Sequence, residues 1–495
     1  MKKIPQHRNW ISRMRLTAAS AMLALAAMRV SAAITTQLAQ AQTFTTLHSF
    51  DGTDGENPYY AGLVQATNGN LYGTTSGGGV NGYGTVYKIT PGGTLTTVYN
   101  FCSQSGCVDG ASPAAGLILA TNGNFYRTTH SGGVTGVGTV FKITPSGTLT
   151  TLYSFCSQGA GCTDGQEPVT GLIQATDGNF YGVTGYGGAY TLGTVFKITP
   201  SGTLTTLYSF CSGGVGNCTD GEMPFGALVQ ATNGNLYGAA NGGGADNNGT
   251  IFEITPTGAL TTIHSFDDTD GSGPLAGLVQ ATDGNLYGTT VGGGVTGAGT
   301  VFKITPSGTL TTLYNFCSLS GCADGENPSA ALVQATNGKF YGTTAIGGTL
   351  SEGTIFEITS TGTLTTLYSF CCTNGANPYA ALVQDTNGKF YGTTNREALG
   401  VCPSGCGTVF SLSVSLGPFV ETLPTSGRVG AAVKILGTNL TGATSVTFNG
   451  TAATFTVVSS SEITTTVPAG ATSGKVKVVT SSGTLTSNVK FRVTP

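Results

Sequence analysis

A stretch of fourteen residues, GLVQATNGNLYGTT, recurs in near copies along most of the chain. The copies begin at Gly62, Gly116, Gly171, Ala227, Gly277, Ala331 and Ala381. Their spacing of 50 to 56 residues is typical of an array of supersecondary units. Such a unit cannot bury its apolar side chains alone, so the pattern predicts that consecutive copies pack on one another.

One repeat contains four strand-like segments, as the second copy illustrates. Asn122-Gly123 separates GLILAT from NFYRTT, and this dipeptide favours a two-residue hairpin turn. A glycine-rich loop then leads to GTVFKIT. Pro145-Ser146-Gly147 forms the turn into TLTTLYSF, because proline presets φ and glycine accepts the left-handed position. The segments are rich in Val, Ile, Thr, Tyr and Phe, which favour strands.

The apolar residues fall on both faces of these segments, which predicts sheets that are covered on both sides. A radial array of four-stranded sheets, the β-propeller, meets this condition. The fourth segment is displaced, since its first copy, Thr43–Phe50, precedes every first segment and the seventh repeat lacks its own. We therefore predict an all-β, seven-bladed propeller in which Thr43–Phe50 closes the ring. An open β-solenoid is the alternative, but it would not need a displaced strand.

The strand order sorts the connections into two faces. The tight Asn-Gly, Asp-Gly and Pro-Ser-Gly turns share one face, called the turn face below. The glycine-rich loops and the cysteine-containing loops share the other, called the loop face, and carry nearly all of the length variation. Binding residues concentrate on loops of this kind.

Charged residues make up only 9% of the 495-residue chain, against about 25% in average domains. The formal net charge is −3. This composition argues against a nucleic-acid partner, which requires clustered basic residues.

The first 41 residues read as a secretory signal peptide. Basic residues precede a short apolar stretch, Leu16–Met28, and small residues that suit cleavage follow it. The apolar stretch is too short to span a bilayer comfortably, although an uncleaved anchor is the alternative. No later stretch predicts a membrane-spanning helix. We therefore expect a secreted or cell-surface protein.

The twelve cysteines support export, because they occur as close pairs in a chain with a signal. The pairs are Cys102/Cys107, Cys156/Cys162, Cys211/Cys218, Cys317/Cys322, Cys371/Cys372 and Cys402/Cys406. Disulfides are favoured over zinc, since each pair lies in a separate repeat without a second pair facing it. The adjacent Cys371/Cys372 is the uncertain case.

The blocks GNLYGTT and GTVFKITPSGTLTTLYSF resemble the GloVer tandem-repeat proteins, a bacterial "choice-of-anchor" group, over residues 42–416. The resemblance implies an exported or surface bacterial protein and does not imply an activity. Residues 417–495 are similar to an IPT/TIG domain, an immunoglobulin-like sandwich. The matching segments are PTSGRVG, VKILGTNL, VTFNGTAA and TVPAGATSGKVKV.

An aspartate precedes a glycine at the end of most cysteine-containing loops. These candidate ligand or cation sites are Asp54, Asp109, Asp164, Asp220, Asp270 and Asp324, with Asn374 in the seventh place. If the first strands are innermost, the carboxylates could surround the channel mouth, where clustered carboxylates bind cations. In the alternative interpretation, each aspartate caps its own turn.

Two loops lack cysteines and carry additional acids. Their sequences are DGTDG and DDTDG. Ca²⁺ is the only cofactor that the sequence suggests, and its candidate ligands are Asp51, Asp54, Asp267, Asp268 and Asp270. His48 and His264 occupy a fourth-strand position that is tyrosine in five other copies, which predicts packing rather than catalysis. A tyrosine that recurs in every second strand is predicted to be core.

The sequence thus predicts non-catalytic binding or adhesion outside the cell, with a glycan or a surface protein as partner. One alternative is an extracellular carbohydrate-active enzyme that uses carboxylates at the channel mouth. Such an enzyme should carry acidic residues that occur in one repeat and not in the others. Most of the positions at which the repeats of this chain differ carry Gly, Ser or Cys instead. A structural envelope component is the other alternative.

Overall fold

The computed structural model describes residues 42–159, 161–214, 216–371, 374–396 and 405–495. The predicted signal peptide lies outside these residues. Apart from two short 3-10 turns, Ser105–Cys107 and Ser320–Cys322, the regular elements are strands. The prediction of an all-β chain is therefore confirmed.

Repeats 1 to 6 contribute strands at four equivalent positions and repeat 7 at the first three, numbered here in chain order after the N-terminal strand β1 (Thr43–Ser49). The first strands are β2 (Val64–Gln65), β6 (Ile118–Leu119), β10 (Ile173–Gln174), β14 (Val229–Gln230), β18 (Val279–Gln280), β22 (Val333–Gln334) and β26 (Val383–Gln384). The second strands are β3 (Leu71–Thr75), β7 (Phe125–Thr129), β11 (Phe180–Thr184), β15 (Leu236–Ala240), β19 (Leu286–Thr290), β23 (Phe340–Thr344) and β27 (Phe390–Thr394). The third strands are β4 (Thr85–Ile89), β8 (Thr139–Ile143), β12 (Thr194–Ile198), β16 (Thr250–Ile254), β20 (Thr300–Ile304), β24 (Thr354–Ile358) and β28 (Thr408–Ser413). The fourth strands are β5 (Leu95–Asn100), β9 (Leu149–Ser154), β13 (Leu204–Ser209), β17 (Leu260–Ser265), β21 (Leu310–Asn315) and β25 (Leu364–Ser369).

The four strands of a repeat form one antiparallel sheet in sequence order, named sheet 1 to sheet 7 after its repeat. In sheet 2, Phe125 pairs with Ile143, and Val140 pairs with Tyr153 across a bulge in the register. The Thr129 and Thr139 hydroxyls lie 2.9 Å apart, which satisfies both buried groups. Since both sheet faces are apolar, each sheet needs a neighbour on either side.

The apolar core is divided among the interfaces between sheets. One cluster joins Tyr72 and Val86 of sheet 1 to Phe125 of sheet 2, and equivalent clusters join each following pair. A further cluster joins Tyr391 and Val409 of sheet 7 back to sheet 1. The sheets therefore follow one another in a circle.

The N-terminal strand completes sheet 7. β1 pairs with β28 in the order β1-β28-β27-β26, at the position that the displaced segment Thr43–Phe50 was predicted to fill. Phe44 stacks on Tyr368 of sheet 6 with ring centroids 3.9 Å apart. This strand therefore connects the two ends of the repeat array.

Glutamines of the first strands tie consecutive repeats together. Gln174 accepts a hydrogen bond from the backbone of Thr121 at 2.9 Å, and the same bond recurs between later repeats. Gln65 closes the series by accepting from the backbone N–H of Thr386, 321 residues away, at 3.0 Å. Repeat 2 has Leu119 at this position and lacks the side-chain amide.

Residues 420–494 form three small sheets around a separate apolar core. The strands are β29 (Glu421–Leu423), β30 (Ser426–Arg428), β31 (Ala432–Leu436), β32 (Ser445–Phe448), β33 (Thr451–Ala453), β34 (Phe455–Val457), β35 (Glu462–Thr466), β36 (Val476–Thr480), β37 (Gly483–Thr486) and β38 (Arg492–Thr494). Two four-stranded sheets have the orders β29-β31-β35-β34 and β33-β32-β36-β37, and β30 pairs in parallel with β38.

This C-terminal part contacts the turn face of the repeats. The Ser461 hydroxyl donates to the Thr67 carbonyl at 2.7 Å. Thr67 belongs to repeat 1, and its neighbour, repeat 2, is the one that lacks the linking glutamine. The Phe419 N–H donates to the Thr386 carbonyl at 3.0 Å, and Arg492 contacts the carbonyl of Thr232. The tail thus lies at the end of the circle opposite to the loop face. Among the described residues, no helix has the length and apolarity that crossing a membrane requires.

Candidate ligand-binding site

The aspartates that precede glycine lie beside the outer strands and not around the centre of the circle. Asp109 is fully buried and accepts hydrogen bonds from the Tyr99 hydroxyl at 2.8 Å and from the Ser103 N–H at 2.9 Å. Burial, together with the Asp109 carboxylate, raises the pKa of Tyr99 to about 12, so the phenol stays a donor. Equivalent tyrosine and backbone bonds hold Asp164, Asp220 and Asp324. These contacts correspond to the turn-capping interpretation.

The two loops without cysteines use histidine in place of tyrosine. Nε2 of His48 lies 2.6 Å from the carboxylate of Asp54, and Nε2 of His264 lies 2.8 Å from that of Asp270. Each histidine ring packs edge-on against the phenylalanine two residues later, as the tyrosines do. The structure therefore places both histidines in the packing role that the sequence predicted.

The candidate Ca²⁺ ligands of these loops accept hydrogen bonds within their own turns. Asp51 accepts from the N–H of Thr53 at 2.8 Å and from its hydroxyl at 2.6 Å, which lowers the pKa of Asp51. Asp267 makes the same bonds to Thr269, while Asp268 adopts a left-handed φ of 73°. Within the described ranges, the only group of three possible metal ligands is Cys317, Cys322 and Glu326. Its two cysteines are bonded to each other.

Four of the predicted disulfides are confirmed. They are Cys102–Cys107, Cys156–Cys162, Cys211–Cys218 and Cys317–Cys322. Cys406 is also disulfide-bonded, whereas Cys372 and Cys402 lie outside the described residues. Cys371 carries a free thiol, so the disulfide considered for Cys371/Cys372 is not formed. Adjacent Cα atoms, about 3.8 Å apart, are closer than most disulfides accept.

The tyrosines of the second strands are core residues, as predicted. They are at most 1% exposed, and their hydroxyls bond to the residue at the start of the tight turn, as Tyr126 does to Asn122. Their rings stack on the next sheet, with Tyr126 and Phe180 centroids 4.1 Å apart. They belong to the interfaces between repeats.

A cavity of about 460 Å³ lies where the seven repeats meet, and every repeat contributes to its lining. The lining residues come from the segment between the proline that ends each loop and the start of the first strand. This places the first strands innermost and the cavity on the loop-face side of them. The volume falls in the range of small-molecule sites, about 300–1,000 Å³.

The residue directly after that proline breaks the repeat symmetry. It is Tyr59, Ala114, Val169, Phe225, Leu275, Ser329 and Tyr379 in repeats 1 to 7. Five of these seven residues line the cavity: Val169, Phe225, Leu275, Ser329 and Tyr379. The position after the proline therefore varies from repeat to repeat within an otherwise regular array.

Repeat 1 departs further, because Tyr60 also lines the cavity. Its backbone φ is 50°, a left-handed conformation that non-glycine residues rarely adopt and that costs about 1–2 kcal/mol. Tyr59, Tyr60 and Tyr379 form one aromatic cluster, with ring centroids 4.3 to 5.7 Å apart. Strain of this kind concentrates at functional sites.

The described lining of the cavity is electrically neutral. The described residues that line it include no Asp, Glu, Lys, Arg or His, and their polar side chains are Tyr60, Tyr379, Thr170 and Ser329. Burial raises the pKa of Tyr60 and of Tyr379, so both phenols stay uncharged. This lining can bind a ligand through apolar contact, ring stacking and hydroxyl groups.

This site was missed by the sequence interpretation, which concentrated on carboxylates. The signal was present in the repeat alignment, because the position after the proline varies from Ala and Ser to Phe and Tyr. A repeated feature such as the Asp-Gly pair serves the structure of each unit. Binding residues are better sought where one unit differs from the others.

The fold and the site together define a tandem-repeat β protein with a central apolar cavity. A model of the Gloeobacter/Verrucomicrobia repeat matches residues 31–219, 215–410 and 322–481, so the chain belongs to this family and the resemblance noted above is confirmed. No curated protein matches the sequence.

Among solved structures, the chain is similar to the extracellular domains of two hybrid two-component systems from B. thetaiotaomicron. One has 12% identity and a TM-score of 0.50 over 92% of this chain and 59% of that one. The other has 12% identity and a TM-score of 0.47 over 89% and 53%. The chain thus spans little more than half of these domains.

A third similar structure carries the name of a 6-phosphogluconolactonase from Bacteroides fragilis. It has 19% identity and a TM-score of 0.44 over 66% of this chain and 88% of that one. At such identities the likeness concerns the fold alone.

Proposed function

We propose that the chain is an exported, non-catalytic binding protein whose ligand occupies the central cavity. In this proposal residues 1–41 are a signal peptide, residues 42–416 form a seven-bladed propeller closed by β1, and residues 417–495 form an immunoglobulin-like domain of IPT/TIG type. The disulfides support an oxidising compartment outside the cytoplasm. The observation that carries the function is the neutral cavity lined by all seven repeats.

The described lining residues carry no charge, which favours binding over the carbohydrate-active enzyme that was the alternative from the sequence. Glycoside hydrolysis needs two carboxyl groups facing one bond. The six aspartates proposed for that role instead accept hydrogen bonds in separate loops, so they are engaged in holding turns.

The proposal is tested by thermal unfolding of the purified protein with a panel of uncharged compounds, including aromatic, aliphatic and oligosaccharide members. A ligand that binds only the folded state adds about 2.7 kcal/mol at a hundredfold excess over Kd. We expect at least one compound to raise Tm and to be recovered unchanged by mass spectrometry. Depolymerised or otherwise altered compound would contradict the non-catalytic proposal.

Adhesion through the loop face is the second candidate, and the exposed apolar side chains of that face favour it. Val80, Val134 and Val295 at the tips of glycine-rich loops are 79 to 87% exposed. Native electrophoresis through gels containing polysaccharides tests this candidate. Retardation that a triple Val80→Ser, Val134→Ser and Val295→Ser variant abolishes would support it, and retardation unchanged in that variant would exclude the loop tips.

A further inference from the structure

The seven residues after the prolines are arranged unevenly around the cavity. Because the sheets form a circle, repeat 4 lies opposite to the junction of repeats 7 and 1. Tyr60 and Tyr379 line the wall at that junction, and Phe225 with Leu275 lines the opposite side. The repeats between these two walls contribute aliphatic and small groups, among them Leu117 in repeat 2, Val169 in repeat 3 and Ser329 in repeat 6.

The aromatic rings of the lining thus lie on two opposite walls, with aliphatic and small side chains between them. The walls carry aromatic rings, which attract another ring by stacking and apolar burial. The Thr170 hydroxyl is buried, whereas Ser329, whose hydroxyl donates to the Asn327 carbonyl at 3.3 Å, supplies a polar group at the side of the cavity. A charged ligand would lose its hydration there without meeting an opposite charge.

We infer that the cavity binds a flat, uncharged, ring-containing molecule, held between the Tyr60/Tyr379 wall and Phe225. This inference rests on the proposed function and specifies its ligand class. The conformation of Tyr60 agrees with this ligand class. In repeat 1 alone, a left-handed backbone conformation that costs energy places a tyrosine in the cavity beside Tyr379.

The probe for the test is N-phenyl-1-naphthylamine, a neutral compound that carries a flat naphthalene ring and whose fluorescence rises in apolar surroundings. We expect saturable binding of one molecule per chain. The filling variant is Ser329→Tyr, since repeats 1 and 7 already carry tyrosine and repeat 4 carries phenylalanine at the equivalent position. This variant should weaken binding at least about tenfold, because the added ring occupies the space beside the walls.

The matched control is Val458→Tyr, which adds the same ring at a position of the C-terminal part that is 56% exposed and outside the cavity. It should bind the probe like the unmodified protein. Phe225→Ala tests the wall itself and should weaken binding about tenfold without filling the cavity. Thermal unfolding of each variant separates loss of binding from loss of folding.

Three outcomes would overturn the inference, and they differ in what they say of the proposed function. If calorimetry shows that cellohexaose binds and that Ser329→Tyr abolishes its binding while the naphthylamine does not bind, the cavity is a ligand site of another class. Probe binding that is equal in Ser329→Tyr and Val458→Tyr places the probe outside the cavity. If neither the naphthylamine nor any compound of the panel binds, the proposed function fails as well.

Discussion

At the scale of single residues, Arg127 is the clearest exception to the repeat. The equivalent positions of the other repeats are glycine, and a Cβ added at Gly182 would approach a ring carbon of Phe196 to 2.7 Å. Arg127 is fully buried, and two of its guanidinium nitrogens have no hydrogen-bond partner among the described residues. Desolvation lowers its pKa well below the ordinary value.

Replacing this side chain by the residue of the other repeats should stabilise the protein. A buried polar group without partners costs about 1–3 kcal/mol, and a charged one costs more. We expect Arg127→Gly to raise the free energy of unfolding by about 2 kcal/mol, measured by chemical denaturation. A lower free energy in this variant would show that the guanidinium has a stabilising partner.

For the aspartates that cap turns, we predict that replacement lowers the stability of the protein. Asp324 is fully buried and accepts from the Tyr314 hydroxyl and from the N–H groups of Ser318 and Leu319. Asp324→Ala should lower the free energy of unfolding by about 2 kcal/mol or more, since hydrogen bonds to charged groups contribute about 1.5–3 kcal/mol each. The exposed Asp246→Ala is the control and should leave stability unchanged.

A chelator separates this capping role from a cation site. If the aspartates act through hydrogen bonds, EDTA leaves the Tm of the unmodified protein unchanged. A decrease of Tm in EDTA that added Ca²⁺ restores would instead assign the carboxylates to an ion.

At the scale of strands and sheets, β1 carries the closure of the circle. Phe44 stacks on Tyr368 and lies 5.3 Å from the ring of Phe410, so one side chain joins sheets 6 and 7. We expect Phe44→Ala to lower the free energy of unfolding by about 2 kcal/mol, below the 3–5 kcal/mol of a fully buried phenylalanine. The neighbouring exposed Thr45→Ala should have little effect. Equal effects of the two variants would mean that β1 does not hold the circle together.

These elements could be predicted from the sequence because their signals are local. The Asn-Gly and Pro-Ser-Gly turns set the strand boundaries, and the early fourth segment at Thr43–Phe50 pointed to the completion of the last sheet. The sequence left the aspartates open between a ring at the channel mouth and separate turn caps, because a short loop does not fix the direction of its carboxylate. Their direction depends on the fourth-strand tyrosine and on the backbone N–H groups that follow it, which meet only in the folded loop.

The cavity could not be predicted for a related reason. Its shape depends on which repeats face one another across the circle, and this follows from the closed arrangement rather than from any single copy. Leu119 illustrates the same limit. The sequence shows that repeat 2 lacks the glutamine, but it does not show that Ser461 of the tail donates to the Thr67 carbonyl at the junction of repeats 1 and 2.

At the scale of the whole molecule, two carboxyl groups lie where the tail meets the turn face. Asp385 in repeat 7 is almost fully buried, and one of its oxygens has no hydrogen-bond partner in the described structure. Burial raises the pKa of Asp385 to about 6. Burial and the charge of Asp385 raise the pKa of the partly buried Glu421 to about 7.

These raised pKa values predict that stability falls as the pH rises. The folded state holds both protons more tightly than the unfolded state, so their contribution is full below about pH 4 and is lost as the pH passes 7. We expect Tm to be higher at pH 5 than at pH 8. The double variant Asp385→Asn and Glu421→Gln should reduce this difference, and an unchanged difference would assign the pH dependence to other groups.

The central claim is that seven repeats enclose a ligand cavity, and a crystal structure of the protein soaked with 2-bromonaphthalene tests it most directly. Bromine scatters anomalously, so the position of this flat, uncharged compound can be located without assumptions about the site. We predict a closed circle of seven sheets with the bromine peak between Phe225 and the Tyr60/Tyr379 wall. An open array of sheets, or a bromine peak only outside the cavity, would contradict the account.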